Sequence, residues 1–451
     1  MKKLLSVLLC SLMCITLASC SNGSAENAET ESTDPTMEET TEGKVLNIYA
    51  WNTEFQDRFN EFYLDKMPEG VSVNWVITPN QDNAYQNKLD ETLLSQSSLE
   101  ADEKIDIFLV EADYALKYVN TDYTEDLGNL GITDADVAGQ YQYTKDVVTD
   151  GDGALKGVSW QATPAGFIYR RSIMEDVLGS DDPEVVQEAL STWEKFDEVA
   201  AMAAEKGYFM LSGFDDDYRV FSNNVENPWV VDDKIVVDPS IQQWVEQTKT
   251  YTDMNYNNKA NLWSDESFAQ AGVDGKVAGY FGPGWFFDFC LMPATLDDPD
   301  GEKAVGNGSY GDWGLVKGPQ GFFWGGTWLC AATGTDNEEL VADVMRTLTC
   351  DEDTLIAITN KFGDFTNNEA AMNEIANSDY SSTFLGGQNH ISVLADSANS
   401  IDMSTTSPYD QGLNESFQSA FMDYYNGNVD EATAYENFYK AAIEKYPNLT
   451  K

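Results

Sequence analysis

Indoles, carboxylates and amides gather in this chain where strands should end or segments should cross. Trp51, Trp160, Trp285, Trp324 and Trp328 all fall at such positions. An indole offers a flat apolar face and one N–H, which suits a ligand with an apolar ring face and a polar rim. At strand ends and crossings of the same kind lie Asn52, Glu54, Asn83, Glu111, Asp113, Gln161 and Asp364. Carboxylates accept hydrogen bonds, and amides accept and donate. Such a set can orient a ligand rich in hydroxyls, because polar groups in a pocket must be paired. Tyr85 and Phe365 are two further rings at the same kind of position. Trp285 follows Gly282-Pro283-Gly284, a turn that presents a ring rigidly, and Gly325-Gly326 lets backbone approach a ligand or change direction. The competing reading of each ring is core packing, and of each polar group a solvated loop. For Trp75, Trp193 and Trp244, on strand or helix faces, core packing is preferred.

Other chemistry is excluded or discounted. His390 is the only histidine, so a His-rich zinc site and a Ser-His-Asp triad fall away. The sequence holds no Gly-x-x-x-x-Gly-Lys-Ser/Thr phosphate loop and no Gly-x-Ser-x-Gly elbow. Asp150-Gly151-Asp152-Gly153 imitates a calcium loop, but the twelfth residue is Gln161, so a turn is expected. Asp215-Asp216-Asp217 and Asp297-Asp298 with Asp300 read as solvated acidic loops. No metal and no cofactor is expected. The charge is formally −51, from 26 Lys+Arg against 77 Asp+Glu, which argues against nucleic acid as a partner. Cys330 and Cys350 can pair, but buried free thiols are the preferred reading.

Certain elements must position these groups. Val45–Ala50, Val71–Ile77 and Ile105–Val110 read as strands. Phe55, Phe59 and Phe62 then recur at helical spacing, as do Tyr85, Leu89 and Leu93, and more weakly Tyr114, Leu116 and Tyr118. Strand–helix repetition implies parallel strands, with ligands beyond their carboxyl ends. Those ends are Trp51–Glu54, Thr78–Tyr85 and Glu111–Asp113. Ser191 with Glu194, and Asp336 with Glu339, read as capping boxes opening helices. Later helices carry Leu413, Phe417, Phe421 and Tyr424, then Tyr435, Phe438, Tyr439 and Ile443. Val277–Gly284, Trp313–Lys317 and Phe322–Ala332 read as strands. No linker interrupts the chain after Gly43, so several short crossings should join its units.

The N-terminus is read separately. Lys2 and Lys3 precede an apolar run, Leu4–Thr16, too short to span a bilayer comfortably. Leu17-Ala18-Ser19-Cys20 resembles the lipobox of bacterial lipoproteins. That resemblance implies a signal peptide over residues 1–19 and lipidation of Cys20. Residues 20–43 then form an acidic tether without aromatics, too poor in apolar surface to pack.

From Lys44 onward the chain resembles the extracellular solute-binding proteins of bacterial ABC importers, in their sugar-binding, maltose-binding-protein-like branch. The carriers are Val45–Trp51, Gly157–Pro164, Ala278–Trp285 and Phe323–Leu329, in that order behind the lipobox. The resemblance implies an α/β, two-lobed periplasmic-binding-protein-like fold of type II, with the ligand cleft between lobes joined by hinge crossings. It implies lobe 1 at 44–162 and 327–365, and lobe 2 at 163–326 and 366–451. It further implies a carbohydrate ligand, an ABC permease partner, a monomer and a lipid-anchored cell-surface or periplasmic location. No catalysis is expected. Two other readings remain: a polyamine or basic-peptide receptor, since rings with carboxylates also suit ammonium groups, and a surface glycoside hydrolase.

Overall fold

The first strand, Val45–Ala50, is buried at Leu46, Asn47, Ile48 and Ala50, on both of its faces, as a central parallel strand requires. It lies between Ser72–Ile77 and Ile107–Glu111, both parallel to it. Helix Glu54–Phe62 follows the first strand and helix Ala84–Ser95 the second, so the expected strand–helix rhythm is present. Thr327–Ala331 then joins Ile107–Glu111 in antiparallel register, and Val158–Ser159 completes this first sheet. The chain is seen in a computed structural model that describes residues 43–451. The signal-peptide, Cys20 and tether expectations fall outside the described residues, apart from Gly43.

A second sheet is built around Pro164–Arg170, buried at every position. Gly279–Pro283 and Trp313–Val316 flank it antiparallel, and Phe322–Phe323 pairs with its first two residues. Each sheet has its own core. Leu46, Ile48, Phe55, Phe59, Leu329 and Met345 pack on the first. Phe167, Trp193, Phe196, Trp244, Phe281 and Phe417 pack on the second. A third cluster runs between them, from Phe108 and Trp328 to Ile168 and Trp313.

The crossings between the sheets are short, as expected. The chain leaves the first sheet at Ser159 and enters the second at Pro164; it returns through Gly325-Gly326 into Thr327. Phe365–Asn367 runs beside the first crossing: the Ala162 amide donates to Phe365 O at 3.1 Å and the Asn367 amide to Trp160 O at 2.8 Å. Thr163, Gly325 and Gly326 all have positive φ, at 47°, 68° and 102°. Glycine suits that region and a β-branched residue does not.

Several local expectations need correction. Ser191 is not a cap: Thr192 is extended and its hydroxyl accepts from the Lys195 amide at 3.3 Å. Asp336 caps nothing either. It accepts from the Asp102 amide, and Asn337 precedes helix Glu338–Thr349. The run Phe322–Ala332 is two strands, broken where the two glycines turn. The last helix, Glu431–Lys445, buries Ala434, Phe438 and Ala442, while Ile443 is exposed. Asp216 and Asp217 are buried, not solvated, because Ser212 and the Trp244 indole N–H bond them. Cys330 and Cys350 are free thiols. Among the described residues, no helix is long and apolar enough to cross a membrane.

Candidate functional site

Helix Glu54–Phe62 starts where the first strand ends, so its first turn stands at the carboxyl edge of the sheet. Arg58 lies one turn on from Glu54 and faces the same way. Its guanidinium grips Asp364 with two hydrogen bonds, Nε–Oδ2 at 2.9 Å and Nη2–Oδ1 at 2.6 Å. The Trp160 indole N–H donates to the same carboxylate at 3.3 Å. Gln161, on the first crossing, donates its amide to Glu54 Oε1 at 3.3 Å and to Thr327 Oγ1 at 3.5 Å. Ser159 Oγ lies 2.6 Å from Gln161 O and 2.7 Å from Thr327 O, which ties two crossings together. Glu54, Gln161 and Asp364 are thus brought into one chain of contacts.

A second group lies on the other side of Thr327, which pairs across the ladder with Glu111. Glu111 Oε2 accepts from the Asp113 amide at 3.0 Å. Asp113 receives both ends of the Arg219 guanidinium, Nη1–Oδ1 at 2.6 Å and Nη2–Oδ2. Arg219 comes from helix Tyr218–Asn223, which packs against Phe322–Phe323 of the second sheet, so this pair joins the two sheets across the crossings. The guanidinium also lies 5.7 Å from the centre of the Trp324 ring. Trp285 donates its indole N–H to Trp324 O at 2.9 Å, and a methyl on Gly325 would stand 3.1 Å from that nitrogen. A methyl on Gly326 would meet Trp328 at 3.0 Å and Thr163 Oγ1 at 3.1 Å. Beside Arg219, Trp324 and Asp410 is a cavity of ≈ 30 Å³, room for a water or two.

The electrostatics follow from burial. Desolvation raises the carboxyls of Glu54 and Glu111 above the usual range, and the Asp364 and Asp113 charges raise them further. Asp288 is pushed up to about 8 by desolvation, then by Asp364. Asp410 is raised to about 6 by desolvation. Carboxyls here outnumber guanidiniums, so the site is poor in positive charge.

The remaining expected residues are placed differently. Trp51 is half-buried and packs edge-on against Tyr85 and Tyr114, with centroids 5.5 and 6.4 Å away. Asn52 is exposed and accepts from the Glu54 amide at 3.0 Å, supporting the helix start. Asn83 is exposed and bonded to Gln86, apart from both groups. Tyr85, Trp328 and Phe365 are core residues, not open ring faces. The Tyr85 hydroxyl bonds Leu109 O at 2.6 Å, the Trp328 N–H bonds Thr144 O at 2.8 Å, and Phe365 packs on Tyr141. Trp160 is likewise buried, stacked on Phe55.

Sequence reasoning missed Arg58, Arg219, Asp288, Thr327 and Trp263. Arg58 carries a usable signal, four residues after Glu54 on a helix. Trp263 carries another, an indole in the polar turn before Ser264. Arg219 has none, since its partner lies on a distant segment.

Residues 56–382 match the family described as bacterial extracellular solute-binding protein. No curated protein matches the chain in sequence. Among solved structures, an extracellular solute-binding protein of family 1 is 18% identical, with TM-score 0.71, over 89% of this chain and 99% of that one. The galacto-N-biose-/lacto-N-biose I-binding protein of Bifidobacterium longum, in complex with lacto-N-biose, is 14% identical, with TM-score 0.68, over 92% and 98%. An ABC-transporter-associated binding protein of B. animalis subsp. lactis Bl-04, in complex with β-1,6-galactobiose, is 17% identical, with TM-score 0.66, over 90% and 99%. The likeness shows the fold, a two-lobed periplasmic-binding-protein-like architecture.

Proposed function

Because the chain belongs to the bacterial extracellular solute-binding proteins, we propose that it captures a carbohydrate between its lobes and delivers it to an ABC permease. The family is one of binding proteins, and no catalytic step is assigned. In this reading the lobes are 44–162 with 327–365, and 163–326 with 366–451. Cys20 carries the lipid that holds a monomer at the membrane, and residues 20–43 form the tether.

One observation carries the ligand class. The Trp285 indole lies against Gly325 and the Trp324 ring lies by Arg219, which bonds Asp113, while Glu111, Gln161 and Glu54 are joined through Thr327, two residues on in the same crossing. Ring faces beside hydroxyl-accepting groups are what a pyranose needs. The neighbours in complex with lacto-N-biose and β-1,6-galactobiose support the same class. A second reading, a polyamine or basic peptide, is favoured by the excess of carboxyls over guanidiniums around Arg58 and Arg219.

A thermal-shift panel separates the two. A ligand that binds only the folded state raises Tm once its concentration exceeds Kd. The expected result is stabilisation by one class among malto-, xylo-, galacto-, manno- and fructo-oligosaccharides, with none from spermidine or putrescine. Shifts with polyamines alone would overturn the carbohydrate reading, and release of product sugars would overturn the binding-only reading.

A further inference from the structure

Trp263 stands out among the exposed apolar side chains, with 52% of its surface open. A single exposed ring is ordinary on a protein surface; what marks this one is that it is held rigidly and packed against two other indoles. Its mount is rigid. The Trp263 amide donates to Asn261 Oδ1 at 3.0 Å, and Asn261 Nδ2 and the Leu262 amide both donate to Asp215, at 3.2 and 3.0 Å. Ser264 then caps the next helix, its hydroxyl accepting from the Ser267 amide at 3.2 Å. The Ser264 amide and hydroxyl also donate to Asn261 O, at 3.0 and 2.7 Å, closing the turn.

The ring is aimed at the site already described. It lies parallel to Trp285 within 4°, with centroids 6.4 Å apart, and edge-on to Trp324 at 5.5 Å. Phe268 and Phe286 also pack on it, with centroids 6.4 and 6.1 Å away. The three indoles differ in what they have left to offer. The Trp285 N–H is taken by Trp324 O, and the Trp324 ring already carries Arg219. Among the described residues no group accepts from the Trp263 indole N–H, so Trp263 presents a half-exposed ring and a free donor. The closed space beside Arg219 and Trp324 is only ≈ 30 Å³, far below a ligand pocket of roughly 300 Å³ or more. A bound ring must therefore also use the surfaces that reach solvent.

We propose that Trp263 is a ligand-contact residue that holds a second ring of the bound carbohydrate, so that the ligand is an oligosaccharide of at least two rings. This rests on the carbohydrate reading above. The inner ring is oriented by the carboxyls and amide around Thr327. The outer ring lies on Trp263, which sets a preference for chain length over sugar identity.

Calorimetric titration of paired probes tests it: β-1,6-galactobiose against galactose, and maltose against glucose, on the wild type, Trp263→Ala and Trp263→Phe. In the wild type at least one disaccharide should bind about tenfold or more tightly than its monosaccharide. Trp263→Ala should weaken that disaccharide about tenfold, as loss of one aromatic face does, and leave the monosaccharide within about twofold. Trp263→Phe should restore most of the loss, and an unchanged melting temperature in both variants shows that they fold. Equal loss for both members of a pair, or no loss for either, overturns the role of Trp263 while leaving the carbohydrate reading intact. The pairs extend to the disaccharide and monosaccharide of each class in the thermal-shift panel, and silence of the wild type towards all of them overturns the carbohydrate reading and this inference with it.

Discussion

Asp288 carries a carboxyl into the region of Asp364 and Glu54, and among the described residues no side chain donates to it. Its position is pushed up to about 8, first by desolvation and then by Asp364. A carboxyl raised in the folded state contributes stability that is complete below its unfolded value near 4 and is lost as pH rises towards 8. His390 slopes the other way. It is buried, its Nδ1 has no partner, and it is lowered to about 4 by desolvation, so its contribution is lost as pH falls from 6.5 to 4. Between pH 6.5 and 8 the histidine is silent and only the raised carboxyls, Glu54, Glu111 and Asp216 as well as Asp288, titrate, so the share of Asp288 is read as the difference between wild type and variant. Asp288→Asn should flatten the fall in Tm across that window, recovering about 1–2 kcal/mol at pH 8. Parallel Tm profiles for wild type and variant would show that Asp288 is ionised throughout. None of this was legible from the sequence, where Asp288 follows three aromatics and carries no pattern that marks it. Burial of Asp216, Asp217 and Trp160 was equally hidden, because each depends on a partner far along the chain.

At the scale of elements, the apolar period was a good guide. Phe55 and Phe59, and Tyr85, Leu89 and Leu93, are buried faces of helices where their spacing put them. What the period could not convey was where a strand must stop. The run from Phe322 to Ala332 has strand composition throughout, yet two glycines at φ 68° and 102° turn it from one sheet into the other. Backbone at φ 102° is glycine territory, and a methyl on Gly326 would press on Trp328 and Thr163 as well. Gly326→Ala should cost about 2–4 kcal/mol in a denaturant melt, from strain plus contact. Gly153→Ala is the control, since Gly153 shares a positive φ, 88°, but has nothing within 4 Å of the added methyl. It should cost about 1 kcal/mol. Equal costs at the two positions would mean that the crossing yields to the methyl, and that the return path between the sheets is less tightly specified than its contacts imply.

On the scale of the whole molecule, the ion pair Arg219–Asp113 joins the two sheets, and its energetics are asymmetric. One guanidinium serves three carboxyls: it bonds Asp113, and its charge lowers Glu111 and Asp410, which desolvation otherwise raises. Removing Asp113 deletes a negative charge that repels both neighbours. Removing Arg219 leaves all three together with nothing opposite. Both side chains keep some access to water, at 20% and 27%, so the pair is worth less than a fully buried one. At pH 7.5, Arg219→Gln should therefore cost about 1–3 kcal/mol, and Asp113→Asn clearly less. The Arg219→Gln deficit should shrink at pH 5, because Asp410, raised to about 6, takes up a proton and no longer repels Asp113. The double variant should be no worse than Arg219→Gln alone, giving a coupling energy of about 1 kcal/mol in the cycle. Small-angle scattering gives the global counterpart: if the pair holds the sheets together, Arg219→Gln should enlarge the radius of gyration at pH 7.5 and less so at pH 5. A pH-independent deficit equal in the two single variants would instead make the pair a local contact of Trp324, with no part in holding the two halves of the molecule.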